Sequence, residues 1–310
     1  MLDKIPGLQL SRGAALAGYT RFAIGGPADE LAETEDEQAL AAAVATLEAS
    51  RARYAVLGGG TNVIVADEGF RGVVLRYTAG AIAARGALVA ARAGAALDDV
   101  VSFAVEHGLA GLETLAGIPG SLGGAVYGNA GAYGHSIGER IRAVRVLEGA
   151  HVRTMTREQC QFTYRDSIFK RRRAIVLACE FELTPADKTG LAATAAGIVR
   201  ERNRKFPPTM KCAGSIFKNL LLAELPPRLA ELVPQTKVRE GKVPAAFFLD
   251  AAGAKGLSRG DIHVAAYHAN LIYNGGAGTA ADLLGLIAEL KERVRDRFGL
   301  ELEEEVQYLG

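Results

Sequence analysis

GIPGSLGGAVYGNAGAYG, residues 117–134, holds seven glycines in eighteen positions. Few ordered structures need that density. One that does is a loop whose backbone N–H groups must approach a phosphate closely, where any Cβ would stand in the way. A set of tight turns is the plainer reading. The stretch is not a Walker A loop, since no Gly-Lys-Ser/Thr ends it, and it is not a GxGxxG turn after a strand. A second glycine run lies in LGGGTNVIV, residues 57–65. It follows the short apolar run YAVL (54–57), which reads as a buried strand stopping at Gly58-Gly59-Gly60. Together the two runs point to two loops around one diphosphate. Thr61 and Asn62 offer side-chain hydrogen bonds beside the exposed backbone.

Outward from these loops, helices and strands alternate irregularly. Residues 34–50 predict a helix, with Thr34 and Glu37 as a capping box and Leu40, Ala43, Val44 and Leu47 on one face. VIVAD (63–67), GVVLRY (72–77), AVRVLEG (143–149) and AIVLACEFEL (174–183) read as strands. A helix over 96–107 is ended by Gly108, and one over 191–205 stops before Pro207-Pro208. The last helix, 280–298, starts behind Thr279, stops at Gly299, and carries Leu283, Leu286, Ile287, Leu290 and Val294 as an apolar stripe. ELEEEVQYL (301–309) predicts a closing strand. This order is too irregular for a simple doubly wound sheet, so the class is α+β. Strands and glycine loops lie mostly before Asp187–Gly190 and helix lies mostly after it, which makes that region the expected domain boundary.

A chain of 310 residues, 49% apolar, has room for about two domains with a sizeable core. Lys plus Arg is 36 against 35 for Asp plus Glu, a net charge of +1, which argues against gripping nucleic acid over the whole surface. Cys160, Cys179 and Cys212 are an odd, widely spaced set and fit a reducing compartment. MLDKIPGLQL lacks the apolar core of a signal peptide, and no apolar run approaches the ~20 residues of a membrane span. A cytoplasmic protein without membrane attachment is the expectation. His107, His135, His151, His263 and His268 show no metal-ligand spacing, so no metal is expected.

Two further stretches carry candidate chemistry. KCAGSIFKN (211–219) places Ser215 with no nucleophile elbow and no nearby histidine to activate it. In YRDSIFKRRR (164–173), most of the basic run reads as a solvated strand edge. Arg165 stands apart from that run. It fits either a bidentate clamp on a carboxylate or a structural ion pair with Asp166.

These motifs, in this order, resemble one family. YTRFAIGGPAD (19–29), VLGGGTNVIVADEGFRG (56–72), LAGLETLAGIPGSLGGAVYGNAGAYG (109–134), YRDSIFK (164–170), AGSIFKN (213–219), YHANLIYN (267–274) and EEEV (303–306) look like the UDP-N-acetylenolpyruvoylglucosamine reductases. The resemblance covers nearly the whole chain. It implies a non-covalent FAD, NADPH as hydride donor, and reduction of UDP-N-acetylglucosamine enolpyruvate to UDP-N-acetylmuramate for peptidoglycan. It also implies a FAD-binding unit of the vanillyl-alcohol-oxidase type over 1–187, in two subdomains of about 1–77 and 78–187. A substrate domain would follow over 188–310. By residue match, Ser215 is the proton donor and Arg165 and Glu305 complete the catalytic set. Cofactor positions are implied at Gly58, Gly59, Gly60, Thr61, Asn62, Gly117, Pro119, Gly120, Ser121, Gly123, Gly124, Asn129, Gly131 and Ile175. Arg165, Lys218 and Asn219 are implied in substrate binding.

A serine is a feeble acid, yet it suffices against a carbanion, because that acceptor is so basic. Being neutral, it also avoids the cost of desolvating a charge. The chain departs from the family pattern in two places. It matches the shorter class of these reductases, which lacks an inserted tyrosine on the substrate diphosphate. Leu220 also replaces a usual proline, and residues 221–242 are longer than expected. A flavin oxidase of the same fold, acting on an alcohol or sugar, is the first alternative. Residues 54–72 contain no histidine to hold FAD covalently, which counts against it. A non-catalytic flavin- or sugar-nucleotide-binding protein is the second, and retention of Ser215, Arg165 and Glu305 counts against that.

Overall fold

The computed structural model describes residues 2–310, which pack as two compact units, each discontinuous in sequence. The first takes the chain up to Ala14, then Ala28–Gly60 and Arg71–Pro208. The second takes Ala15–Pro27, Thr61–Phe70 and Thr209–Gly310. The packing boundary therefore follows Pro208 and does not sit at residue 187. Asp187 is the N-cap of helix Lys188–Lys205, its carboxylate accepting the Gly190 N–H at 2.7 Å. That helix joins the first unit through buried Leu191, with Ala195, Ile198 and Val199 packed against the same core.

The first unit is built on two sheets. One orders its strands Gln9–Ala15, Pro27–Thr34, Phe70–Tyr77 and Tyr54–Val56, with the last pair parallel and Ala55 opposite Val74. Tyr54–Val56 is an edge strand, so Val56 is 47% exposed and only Leu57 after it is buried. The other sheet is antiparallel, in the order His151–Thr156, Ile141–Glu148, Ala174–Glu182, Leu88–Arg92 and Ile82–Arg85. Helix Leu97–Glu106 buries Leu97, Val100, Val101 and Ala104, the face its periodicity predicts. Helix Glu37–Ala49 likewise buries Leu40, Ala43, Val44 and Leu47.

The start of that helix differs from the expected capping box. Asp36 is the N-cap, accepting the Gln38 N–H at 2.8 Å. Thr34 ends the preceding strand, and its hydroxyl donates to the Gly7 carbonyl. Glu37 is thereby free to leave the cap, and it pairs with Arg92 and, at 2.7 Å, with Arg145, tying the helix to two sheet strands.

The second unit centres on helix Ala280–Phe298, whose bounds and buried stripe match the prediction. Gly299 stops it in the left-handed conformation at φ 68°. Its first N–H groups are met from far along the chain, the Asp67 carboxylate accepting from Ala280 at 2.7 Å and Ala281 at 2.9 Å. Beside it lie a three-stranded antiparallel sheet, Ser258–Arg259, Ile262–Val264 and Ile272–Asn274, and a parallel pair, Val63–Val65 with Gln307–Leu309. The predicted strand over 301–309 thus shrinks to its last three residues. Residues 303–305 bond instead to the segment carrying Ser215. The long stretch 221–242 is an excursion closed at its base, where Leu220–Leu221 pairs with Lys242–Val243. It buries Leu225, Leu229 and Val233 in the core of this unit.

Candidate active site

The two glycine runs meet in the first unit. The Ser121 hydroxyl oxygen accepts N–H groups from Gly59 at 3.1 Å and Gly124 at 3.3 Å, so one side chain joins both loops. A Cβ on Gly59 would lie 2.8 Å from Gly120 Cα and from Ser121 N, and one on Gly58 would lie 2.5 Å from Ser121 Oγ. Glycine at 59 is therefore required by loop-on-loop packing against backbone, while a Cβ at 58 would displace the Ser121 hydroxyl that joins the loops. Gly60, Gly117 and Gly120 have φ of 61°, 70° and 116°, which suits glycine. Gly124 differs. A Cβ there would meet only Ser121 Oγ, at 3.5 Å, an ordinary contact. Within the described residues nothing of the protein's own demands a glycine at 124. A surface of neutral backbone with one glycine position left open fits a diphosphate cofactor held by main-chain N–H groups.

Other implied cofactor positions have work inside the protein. Asn129, 4% exposed and at φ 45°, accepts the Gly138 N–H at 3.0 Å and donates to the Thr163 carbonyl at 2.7 Å. Ile175 is a buried strand residue paired with Leu147. A Cβ on Gly123 would lie 3.1 Å from that of Ala93, and one on Gly131 would lie 2.6 Å from the His135 carbonyl oxygen. Gly117 is clamped by charge, donating to Asp98 at 2.7 Å and accepting from Arg202 Nε at 3.1 Å. Neither Asp98 nor Arg202 stands out in the sequence as loop-holding.

Arg165 occupies the tip of a turn in which Thr163 and Asp166 exchange backbone hydrogen bonds at 3.1 and 3.2 Å. Its φ is 55°, a conformation that glycine takes at no cost and arginine does not. Its guanidinium donates to the Gly131 carbonyl at 2.9 Å, at the end of the glycine-rich run, and Lys170 Nζ donates to the Arg165 carbonyl at 2.7 Å. Asp166 pairs with Arg171.

In the second unit the segment 215–218 lies between two others. On one edge Ser215 bridges Leu271. On the other, the Glu305 N–H donates to the Ile216 carbonyl at 2.7 Å, and the Lys218 N–H donates to the Glu303 carbonyl at 2.9 Å. Ser215 and Glu305 thus occupy neighbouring stations. Asn62 supports this arrangement, its side chain donating to the Glu305 carbonyl at 3.0 Å. The acidic run is only partly a solvated one. Glu303 pairs with Lys218, and Glu304 pairs with Lys291 at 2.7 Å. Asn219 Oδ1 accepts the Ala245 N–H at 3.4 Å. The histidines have local partners: His135 meets Glu139, His263 meets Asp261, and His268 accepts the Asn270 N–H.

Comparison with known proteins decides what these two assemblies belong to. The family of the UDP-N-acetylenolpyruvoylglucosamine reductase C-terminal domain matches residues 206–309, and the FAD binding domain family matches residues 28–152. A UDP-N-acetylenolpyruvoylglucosamine reductase from Solibacter usitatus is 58% identical over 310 residues, covering 100% of this chain and 99% of the relative. The Bacillus subtilis enzyme of that name is 32% identical over 299 residues, 95% of this chain and 92% of the relative. The chain belongs to the UDP-N-acetylenolpyruvoylglucosamine reductase family. The crystal structure of the reductase from Thermus caldophilus superposes with a TM-score of 0.78 at 31% identity, covering 98% of this chain and 100% of that one. The chain is therefore an α+β, FAD-containing oxidoreductase of peptidoglycan precursor synthesis. It reduces UDP-N-acetylglucosamine enolpyruvate to UDP-N-acetylmuramate, with NADPH as hydride donor. The match to the C-terminal domain begins at residue 206, close to the observed packing boundary.

Proposed function

We propose that Ser215 supplies the proton that completes this reduction, that Arg165 holds the substrate carboxylate, and that Glu305 orients or assists the acid. FAD, held by the two glycine loops, would supply the hydride that NADPH provides to the methylene carbon of the enol ether. The neighbouring carbon then carries charge that delocalises toward the carboxylate, and a planar guanidinium suits that charge. The serine hydroxyl gives its proton to this strongly basic centre. The observation that supports the assignment most is the pairing in the second unit, which sets the Glu305 N–H on the carbonyl beside Ser215 at 2.7 Å.

Gly58, Gly59, Gly60, Gly117, Gly120, Ser121 and Gly124 hold the cofactor diphosphate through backbone N–H groups in this reading. Thr61, Pro119 and Gly123 flank it. Asn129, Gly131 and Ile175 shape the loop from inside. Asn62 serves the placing of Glu305 through its hydrogen bond there. Lys218 takes the substrate diphosphate by exchanging Glu303 for it, with Asn219 beside it. The enzyme works in the cytoplasm as a protein without membrane attachment; among the described residues no helix is long and apolar enough to cross a membrane.

Half-reactions test the assignment. Ser215→Ala keeps its flavin and is reduced by NADPH at a near-normal rate, while reoxidation by the enolpyruvyl substrate falls by ~10²–10⁴-fold. Ser215→Cys recovers part of the loss. Normal reoxidation of Ser215→Ala would leave Ser215 a turn residue only.

A further inference from the structure

We propose that Asn270 is a positioning residue for the proton-transfer step, fixing the peptide of Phe217 and through it the placing of Ser215; this rests on the reading of Ser215 as proton donor. Asn270 is 2% exposed. Its Oδ1 accepts the Phe217 N–H at 2.9 Å, and its Nδ2 donates to the Phe217 carbonyl at 2.9 Å. Its own carbonyl accepts the Ile216 N–H at 3.2 Å. One buried side-chain amide therefore satisfies both backbone hydrogen-bonding groups of Phe217, as a neighbouring strand would.

The clamp sits where it governs the site. Peptides 216, 217 and 218 are bound in turn, to Glu305, Asn270 and Glu303. Upstream, Gly214 is at φ 79°, and no described residue beyond its chain neighbours lies within 4 Å of where its Cβ would be. Ser215 is thus braced by the Phe217 clamp downstream, by its bridge to Leu271 and, four residues upstream, by the bridge between Lys211 and Asn274. Displacing the Phe217 peptide would move Ser215 and shift the register against Glu305 at once. A general acid displaced by about 1 Å can lose ~10² in rate. The chemistry also specifies the residue. Asparagine offers a donor and an acceptor at this reach. Aspartate keeps the acceptor but turns a carboxylate oxygen toward the Phe217 carbonyl. Alanine leaves a buried N–H and a buried C=O unmade.

The test uses the full-length, FAD-loaded enzyme in stopped flow, with Asn270→Ala and the isosteric Asn270→Asp. Reduction by NADPH is expected within about twofold of wild type, and the rate constant for reoxidation by UDP-N-acetylglucosamine enolpyruvate is expected to fall about 10–100-fold, the scale set by misplacement. Hydrogen exchange over 211–219 is expected to quicken in both variants. A merely structural role would lower the amplitude of reoxidation and the melting temperature but leave the rate constant of the surviving enzyme unchanged. In a Ser215→Ala background, Asn270→Ala is expected to add no further slowing. The proposal is overturned if both Asn270 variants reoxidise at the wild-type rate constant, or if Asn270→Ala slows Ser215→Ala as much as it slows wild type. Failure of the underlying reading shows separately, as normal reoxidation in Ser215→Ala alone. Should Asn270→Ala not fold, Asn270→Asp carries both measurements.

Discussion

Replacing Gly124 by alanine separates the two explanations of the glycine-rich loop. Beyond its own helix backbone and chain neighbours, the new methyl would meet only Ser121 Oγ, at 3.5 Å, among the described residues, so the protein itself has room for it. Gly124 also lies in helix Leu122–Tyr127, where alanine is favoured over glycine by roughly 0.5–1 kcal/mol. The FAD-free variant is therefore expected to melt at the wild-type temperature or up to about 4 °C above it. If cofactor phosphate lies on this backbone, the methyl must push against it, at a cost of about 1–3 kcal/mol. The dissociation constant for FAD then rises about 5–150-fold. Titration of the FAD-free protein, followed by flavin fluorescence, measures the second quantity, and circular dichroism measures the first. Gly59→Ala is the contrast, because its Cβ would lie 2.8 Å from two backbone atoms that cannot swing aside. That variant loses stability and affinity together. Wild-type affinity in Gly124→Ala would refute the cradle at this position and leave the glycines to turns and packing.

Other perturbations follow the same logic. Arg165→Gly relieves the positive φ and is expected to keep or raise the melting temperature while abolishing reoxidation by substrate; Arg165→Lys keeps charge without the planar fork, and weaker substrate binding in steady-state kinetics checks it. Asp67→Ala removes the carboxylate that caps helix Ala280–Phe298, and chemical denaturation is expected to show a loss of ~0.5–2 kcal/mol. All three cysteines are buried, and burial pushes the Cys160 thiol up to about 11, so a disulfide reagent such as DTNB is expected to leave the native enzyme unmodified and to titrate three thiols after denaturation.

Helix 280–298 was legible because cap, stripe and terminal glycine agree at the level of single residues. The glycine runs were legible as loops that meet, though close packing explains Gly59 as fully as any phosphate does. The capping box at Thr34 was misleading, because Asp36 lies between Thr34 and Glu37 and is the better placed cap. Tertiary partners, Arg92 and Arg145, then decided where Glu37 points. The boundary escaped because helix Lys188–Lys205 ends in the polar run RERNRK and docks through few residues. Asn270 was hidden for a different reason. Its hydrogen bonds span 53 residues, and local pattern carries no trace of such a partner. The one visible signal was an amide inside the otherwise apolar run ANLI.

The second unit is assembled from three separated stretches of chain, and that has a consequence for its birth on the ribosome. Its core takes Phe22 and Ile24 from the first stretch, Ile64 from the second, and Val306 from near the end of the third. Among the described residues the strand Val63–Val65 pairs with Gln307–Leu309 alone. During vectorial synthesis the early stretches emerge long before that partner exists, so their apolar residues wait in the open while more than two hundred codons are read. The first unit has no such debt to the last residues, since its final stretch ends at Pro208. Nascent-chain folding is therefore ordered, and the waiting segments around Phe22 and Ile64 are where a chaperone or a protease would find the chain first.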